Sequence, residues 1–138
     1  MKPNDTATIF GPMGEFLLPN TAEPIIFLVS GIGITPIISM LKELEKTNFK
    51  QPVLLFYSNK TKQSSAYLDY LEQLKQCKLI PVFTNTDKRI DKDLLVKHAG
   101  DLKKYTFYIV GTSEFTNGMR LLLQNHVESS KIKIDDFG

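Results

Sequence analysis

The sequence predicts an open, doubly wound α/β domain on a five-stranded parallel sheet, preceded by a short extended segment. Three observations carry this. Apolar runs at residues 25–29, 53–57, 79–84 and 105–110 read as strands, the first two buried on both faces, and a short strand closes the chain at 131–134. Between them lie segments with apolar residues at helical spacing. The resulting order, β-α-β-α-β-α-β-α-β, has connections of the length that right-handed parallel crossovers require.

Taken in order, residues 8–18 read as two short extended pieces around Gly-Pro-Met-Gly, outside the alternating pattern, and residues 20–23 make a polar connector. The first strand breaks into Ser30-Gly31-Ile32-Gly33-Ile34-Thr35-Pro36. Two glycines in three residues supply positive φ and let backbone approach a ligand. Thr35 suits the N-cap and Pro36 the first helical position. Ile37, Ile38, Leu41 and Leu44 then recur at helical spacing, opposite Lys42, Glu43, Glu45 and Lys46. A helix start reached over glycines offers free N–H groups and a positive dipole end to phosphate. The fingerprint G-x-G-x-x-G is incomplete, with Pro36 at its third glycine, and no Gly-Lys-Ser/Thr follows to make a Walker loop. A plain tight turn is the alternative.

After the second strand, residues 59–63 form a polar, basic loop leading to a helix with Leu68, Leu71 and Leu74 on one stripe. A turn-rich loop at 85–89 follows the third strand, and Asp91 caps a short helix carrying Leu94 and Leu95. Gly111-Thr112-Ser113 ends the fourth strand, and Phe115, Met119, Leu122 and His126 mark the inner stripe of the last helix. In open parallel sheets ligands bind beyond the carboxyl ends of the strands, where strand order reverses. The glycine turn, Ser58-Asn59-Lys60, Thr84 and Gly111-Thr112-Ser113 all follow strand ends, so they gather along one rim. That convergence favours nucleotide binding over a tight turn.

Composition bounds the alternatives. The 138 residues suffice for one core, and a formal charge of +2 gives no reason to propose a nucleic-acid partner. No apolar run reaches bilayer length and no signal-peptide pattern opens the chain, so no transmembrane segment is expected. The single cysteine, Cys77, excludes an internal disulfide and fits a reducing, cytoplasmic compartment; a structural thiol ahead of the third strand is expected. His98 ends a short helix, where a cation suits the dipole, and His126 reads as packing. No carboxylate pair or metal-ligand cluster appears, so neither catalytic residues nor a metal site are assigned.

Five motifs in this order carry a resemblance: Gly-Pro-Met-Gly-Glu-Phe at 11–16, Ser-Gly-Ile-Gly-Ile-Thr-Pro at 30–36, Phe-Tyr-Ser-Asn-Lys at 56–60, Tyr-Ile-Val-Gly-Thr at 108–112 and Ile-Asp-Asp-Phe-Gly at 134–138. Together they resemble the pyridine-nucleotide-binding half of the ferredoxin–NADP reductase superfamily, over nearly the whole chain. The resemblance implies a Rossmann-like domain of the ferredoxin-reductase C-terminal type at 21–138, with 1–20 the end of a flavin-binding barrel. It implies an NAD(P)H-binding module that delivers hydride to FAD on an upstream flavin domain. From there electrons would pass to an iron–sulphur, haem or small-molecule acceptor. FAD would belong to the full-length parent only. The family's Arg-x-Tyr-Ser/Thr flavin segment is not in this sequence, so the isolated chain is expected to be inactive. Val110 stands where the family commonly has a cysteine beside the nicotinamide, and Phe115 where it has methionine. These departures suit the rival reading, a nucleotide-sensing or subunit-docking regulatory module without turnover.

The resemblance and the helix-start geometry together give the expected cofactor site. Gly31, Ile32, Gly33, Thr35 and Pro36 form the pyrophosphate turn, through backbone N–H groups and the Thr35 hydroxyl. Ser58, Asn59 and Lys60, with Thr84 on the next strand end, face the adenosine ribose. NAD enzymes often place a carboxylate there, whereas this segment holds Lys60 and Lys62 and no acid before Asp69. NADP(H) is therefore favoured over NAD(H), with a solvated basic loop as the alternative. Gly111, Thr112 and Ser113 fall beside the nicotinamide or its ribose, or make a plain turn into the next helix.

Overall fold

A computed structural model describes residues 23–47, 49–63, 65–75, 77–86 and 89–136. The extended pieces at 8–18 and the barrel end expected at 1–20 lie outside the described residues, as do the last two residues of the closing motif. Five strands form one sheet: β1 (Ile25–Ser30), β2 (Val53–Asn59), β3 (Cys77–Phe83), β4 (Thr106–Gly111) and β5 (Ile132–Asp136). Their spatial order is β3-β2-β1-β4-β5, and every pair is parallel. Four helices connect them: α1 (Ile34–Lys46), α2 (Leu68–Glu72), α3 (Lys92–Ala99) and α4 (Ser113–Leu123). The doubly wound parallel sheet expected from the apolar runs is the observed fold.

Alternate residues of each strand feed two separate cores. Ile25, Phe27 and Val29 of β1, with Tyr108 and Val110 of β4, pack under α1 and α2. Ile26, Leu28, Phe107 and Ile109 pack on the other face with Leu95 of α3 and Met119 and Leu123 of α4. A strand buried on both faces has no polar side to alternate, which is why these runs read as continuous. The chain winds outward from β1 to β3 and then returns to β4 on the other side of β1. Strand order therefore reverses between β1 and β4, and a crevice opens above their carboxyl ends.

Several local expectations change. Thr35 is not the N-cap: residues Gly31–Gly33 form a 3-10 turn that runs into α1, with Gly33 at the cap position in helical conformation. Pro36 is then the third helical residue, still among the first-turn positions whose N–H has no partner inside the helix. Strand β2 runs past Tyr57 to Asn59, because Ser58 pairs with Ser30 and Val82 on its neighbours. Cys77 opens β3 instead of preceding it, buried, with desolvation pushing its thiol up to about 12. His98 lies half-buried with its ring edge-on to Phe56 at 5.8 Å. Burial, then the charges of Lys78 and Lys97, push its pKa below the usual value, and the ring sits in the last turn of α3, as expected. His126 falls beyond the end of α4, in the turn closed by its N–H to the Leu123 carbonyl, and not on the inner stripe. Asp91 caps α3 as expected, accepting from the Leu94 N–H at 2.8 Å.

A candidate dinucleotide cleft at the sheet's switch point

The two glycines of the first turn do different work. Gly31 has φ of +54°, and a Cβ built there meets nothing within 4 Å. It is the side-chain-free surface facing outward. Gly33 is packed: a Cβ there would lie 2.8 Å from the Val110 carbonyl oxygen and 3.0 Å from its Cγ1. The turn therefore closes onto β4 at Gly33 and opens to solvent at Gly31. Val110, fully buried, is the surface Gly33 rests on. Across the switch point Gly111 has the same tightness, since a Cβ there would collide with Ser30 Oγ and lie 2.9 Å from Phe115 Cδ2. The turns after β1 and β4 meet with no room for side chains between them.

Beyond this contact a cleft of about 480 Å³ runs along the strand ends and down beside α4. Gly31, Ser58, Asn59, Lys60, Thr84 and Thr112 all line it. The rim residues singled out from three strand ends and the glycine turn therefore meet in one cavity. Gly33, Thr35, Pro36, Gly111 and Ser113 do not line it. Thr112 spends its hydroxyl locally, accepting from the Phe115 N–H at 3.3 Å as the N-cap of α4.

The outer wall is held by backbone. The β2–β3 pairing continues past both strands, with Thr84 N–H donating to Asn59 O at 2.8 Å and Asn85 N–H to Lys60 O at 3.1 Å. The loop after β2 is folded back by Tyr57, whose hydroxyl donates to the Ala66 carbonyl at 3.1 Å. Burial raises the Tyr57 pKa, so the phenol stays a donor. Lys60 is thereby fixed at its Cα while its ammonium is exposed and has no side-chain partner among the described residues.

Sequence reasoning missed eight lining residues. Arg89 adds a second exposed cation from the loop between β3 and α3, again without a side-chain partner among the described residues. Its signal was present, a cation shortly after a strand end on the same rim. Ser30 lines the floor beside Gly31. Glu114 and Gly118 belong to the α4 wall with Phe115, Met119 and Leu122, opposite Ile90. The cleft thus combines glycine backbone, two cations and an apolar wall, a set that suits a phosphorylated, partly aromatic ligand. Among the described residues no cluster of His, Cys, Asp or Glu could hold a metal ion, and no helix is long and apolar enough to cross a membrane.

Known proteins resemble this chain in sequence and in fold. Flavohemoprotein A of Dictyostelium discoideum is 27% identical over the whole chain, which covers 36% of that protein. A component of the Na(+)-translocating NADH-quinone reductase of Neisseria meningitidis is also 27% identical over the whole chain, which covers 38% of its length. This chain therefore spans a little over a third of these curated relatives. In structure, the flavohemoglobin of Malassezia yamatoensis, solved with bound FAD and heme, superposes with a TM-score of 0.75 at 21% identity. That match covers 88% of this chain and 33% of that one. Ferredoxin-NADP+ reductase of Plasmodium falciparum superposes with a TM-score of 0.70 at 21% identity, covering 87% of this chain and 57% of that one. Residues 27–120, from β1 into α4, match the family described as the oxidoreductase NAD-binding domain. With its parallel sheet, glycine turn and switch-point cleft accounted for, the chain belongs to the oxidoreductase NAD-binding domain family.

Proposed function

We propose that this domain binds NAD(P)H across the carboxyl ends of its strands, as the nucleotide-binding part of an FAD-dependent electron-transfer oxidoreductase. The observation that carries the reading is the cleft joining Gly31, open and left-handed, to the unpartnered cations Lys60 and Arg89. The pyrophosphate would lie against the open face of the turn at Gly31, before α1. Lys60 and Arg89, with Ser58 between β2's neighbours, would meet the adenosine ribose and its 2′-phosphate. Thr112 and Ser113, across the switch point, would flank the nicotinamide end.

When bound, the cofactor supplies a hydride. This chain's own contribution is to bind and orient it. FAD would be held by a flavin domain outside residues 21–138, with residues 1–20 forming that domain's last segment. The relatives, a flavohemoprotein and a component of an NADH-quinone reductase, support a reductase over a regulatory module. A haem, iron–sulphur or small-molecule acceptor and a cytoplasmic location complete the proposal. The absence of a thiol at Val110 leaves hydride transfer to stacking and position.

Calorimetric titration of the chain with NADPH and NADH tests this. Each exposed cation contributes on the order of 1 kcal/mol or less toward a 2′-phosphate after screening, so several-fold preference for NADPH is expected, falling as salt rises. Lys60→Ala and Arg89→Ala should each reduce the preference, and the double variant should erase it with NADH affinity nearly unchanged. Failure of the wild-type chain to bind either nucleotide overturns the reading. Equal affinity for both at low salt overturns the phosphate role of the cations.

A further inference from the structure

Arg89 belongs to two cavities. It lines the switch-point cleft, and it also lines a separate groove of about 330 Å³ where α3 meets β3, the edge strand of the sheet. Among the described residues it is the one that the two cavities share. The next residue, Ile90, is buried in the core with Leu95 of α3, so the Arg89 backbone is held between the cavities while its side chain is exposed. The two sides differ in charge. In the cleft Arg89 shares the space with one cation, Lys60, and one carboxylate, Glu114. In the groove it meets two carboxylates, Asp91 and Asp93, and one cation, Lys97. Asp91 already caps α3, accepting from the Leu94 N–H at 2.8 Å. Asp93, in the first turn, is exposed and has no side-chain partner among the described residues. The helix dipole accounts for an acid in that turn, but not for its sharing a groove with Arg89. A guanidinium is always charged, and its planar fork of N–H donors fits carboxylate and phosphate alike. Without a ligand the groove, with its excess carboxylate, is the more favourable side; a phosphate in the cleft reverses the balance.

We propose that Asp93 sets the cofactor preference by drawing Arg89 into the groove, in competition with the 2′-phosphate of NADPH. Asp93 is then a positioning residue, which touches no ligand and acts through Arg89. The inference rests on the phosphate role given to Arg89 above and adds what limits it. Exposed ion pairs are weak, so the groove holds Arg89 for about two-thirds of the time in the free protein. A group available for the remaining third lowers apparent affinity about threefold. NADH has no 2′-phosphate and does not register the competition.

The test titrates wild type, Asp93→Asn, Arg89→Ala and the double variant with NADPH and with NADH at low salt, and records thermal unfolding of each. Asp91 is left in place because it caps α3. Asp93→Asn keeps the shape of the side chain and should raise the NADPH-to-NADH affinity ratio about threefold, with a small fall in Tm from the lost charge at the helix start. In the Arg89→Ala background the same exchange should leave the ratio unchanged. Asp93→Glu, which keeps the charge, should keep the wild-type ratio. A ratio unmoved by Asp93→Asn overturns the proposal. So does an equal rise in both backgrounds, which would show Asp93 repelling the phosphate directly. If Arg89→Ala has the wild-type ratio, the phosphate role of Arg89 falls and the proposal with it, a result visible before Asp93 is altered.

Discussion

Replacing Gly33 with alanine separates a glycine kept for packing from one kept for a ligand. From sequence alone, Gly33→Val is expected to abolish nucleotide binding in an intact fold. The structure reverses the emphasis. A Cβ at Gly33 would sit 2.8 Å from the Val110 carbonyl oxygen and 3.1 Å from its carbonyl carbon, both backbone atoms of β4. Strand β4 lies between β1 and β5 and cannot retreat without disturbing both ladders. Relief of several tenths of an ångström must come from shifting the turn, an overpacking cost of about 2 kcal/mol. With an m-value of about 2 kcal/mol/M, the urea midpoint should fall by about 1 M. Gly33→Val, with two further methyl groups against Val110, should lose more. Gly31→Ala is the contrasting variant. Its Cβ meets nothing, so only the left-handed backbone is penalised, at about 1 kcal/mol. Urea unfolding and calorimetric titration on both proteins should give opposite rankings: Gly33→Ala loses more stability, and Gly31→Ala loses more nucleotide affinity per unit of stability lost. Adding Val110→Ala to Gly33→Ala should not restore the midpoint, because the clashing oxygen remains. A Gly33→Ala midpoint indistinguishable from wild type would refute the packing argument.

Two further outcomes follow from buried and paired groups. The Cys77 thiol, buried at the start of β3 with its pKa pushed up to about 12, should resist a disulfide reagent at pH 8 in the native protein. It should react fully in denaturing guanidinium, and prompt native-state labelling would contradict its placement. Glu23 accepts from the Thr106 hydroxyl at 2.9 Å and pairs with Lys131 at 3.2 Å, and Thr106 first, then Lys131, lower its pKa below the ordinary 4.5. A depressed folded-state pKa means the contribution is present above 4.5 and lost as pH falls through the lower folded value. The urea midpoint of wild type should therefore exceed that of Glu23→Gln at neutral pH by a small margin, and the difference should close in acid. A margin that widens in acid would show the sign to be wrong.

How much of this was legible from the chain depends on the range of the interactions involved. The fold class was, because strands buried on both faces must be continuously apolar and helices between them must show period 3.6; both are local patterns. The rim was legible too. Parallel order alone sends every carboxyl end to one edge, so Gly31, Ser58, Asn59, Lys60, Thr84 and Thr112 had to come together there. The caps illustrate where local reading stops. Asp91 caps α3 as its type suggests, whereas Thr35 lost the role because Gly31–Gly33 wound into a 3-10 turn first. That winding is decided by the seat Gly33 finds on Val110, 77 positions away in the sequence. His98, in the last turn of α3 as its position suggests, also packs edge-on against Phe56, a contact that only the tertiary fold supplies. The division of labour between Gly31 and Gly33 and the meeting of Arg89 with Lys60 also belong to tertiary structure. Each depends on which atoms of distant segments fill or leave a volume, and periodicity, propensity and composition carry no information about that.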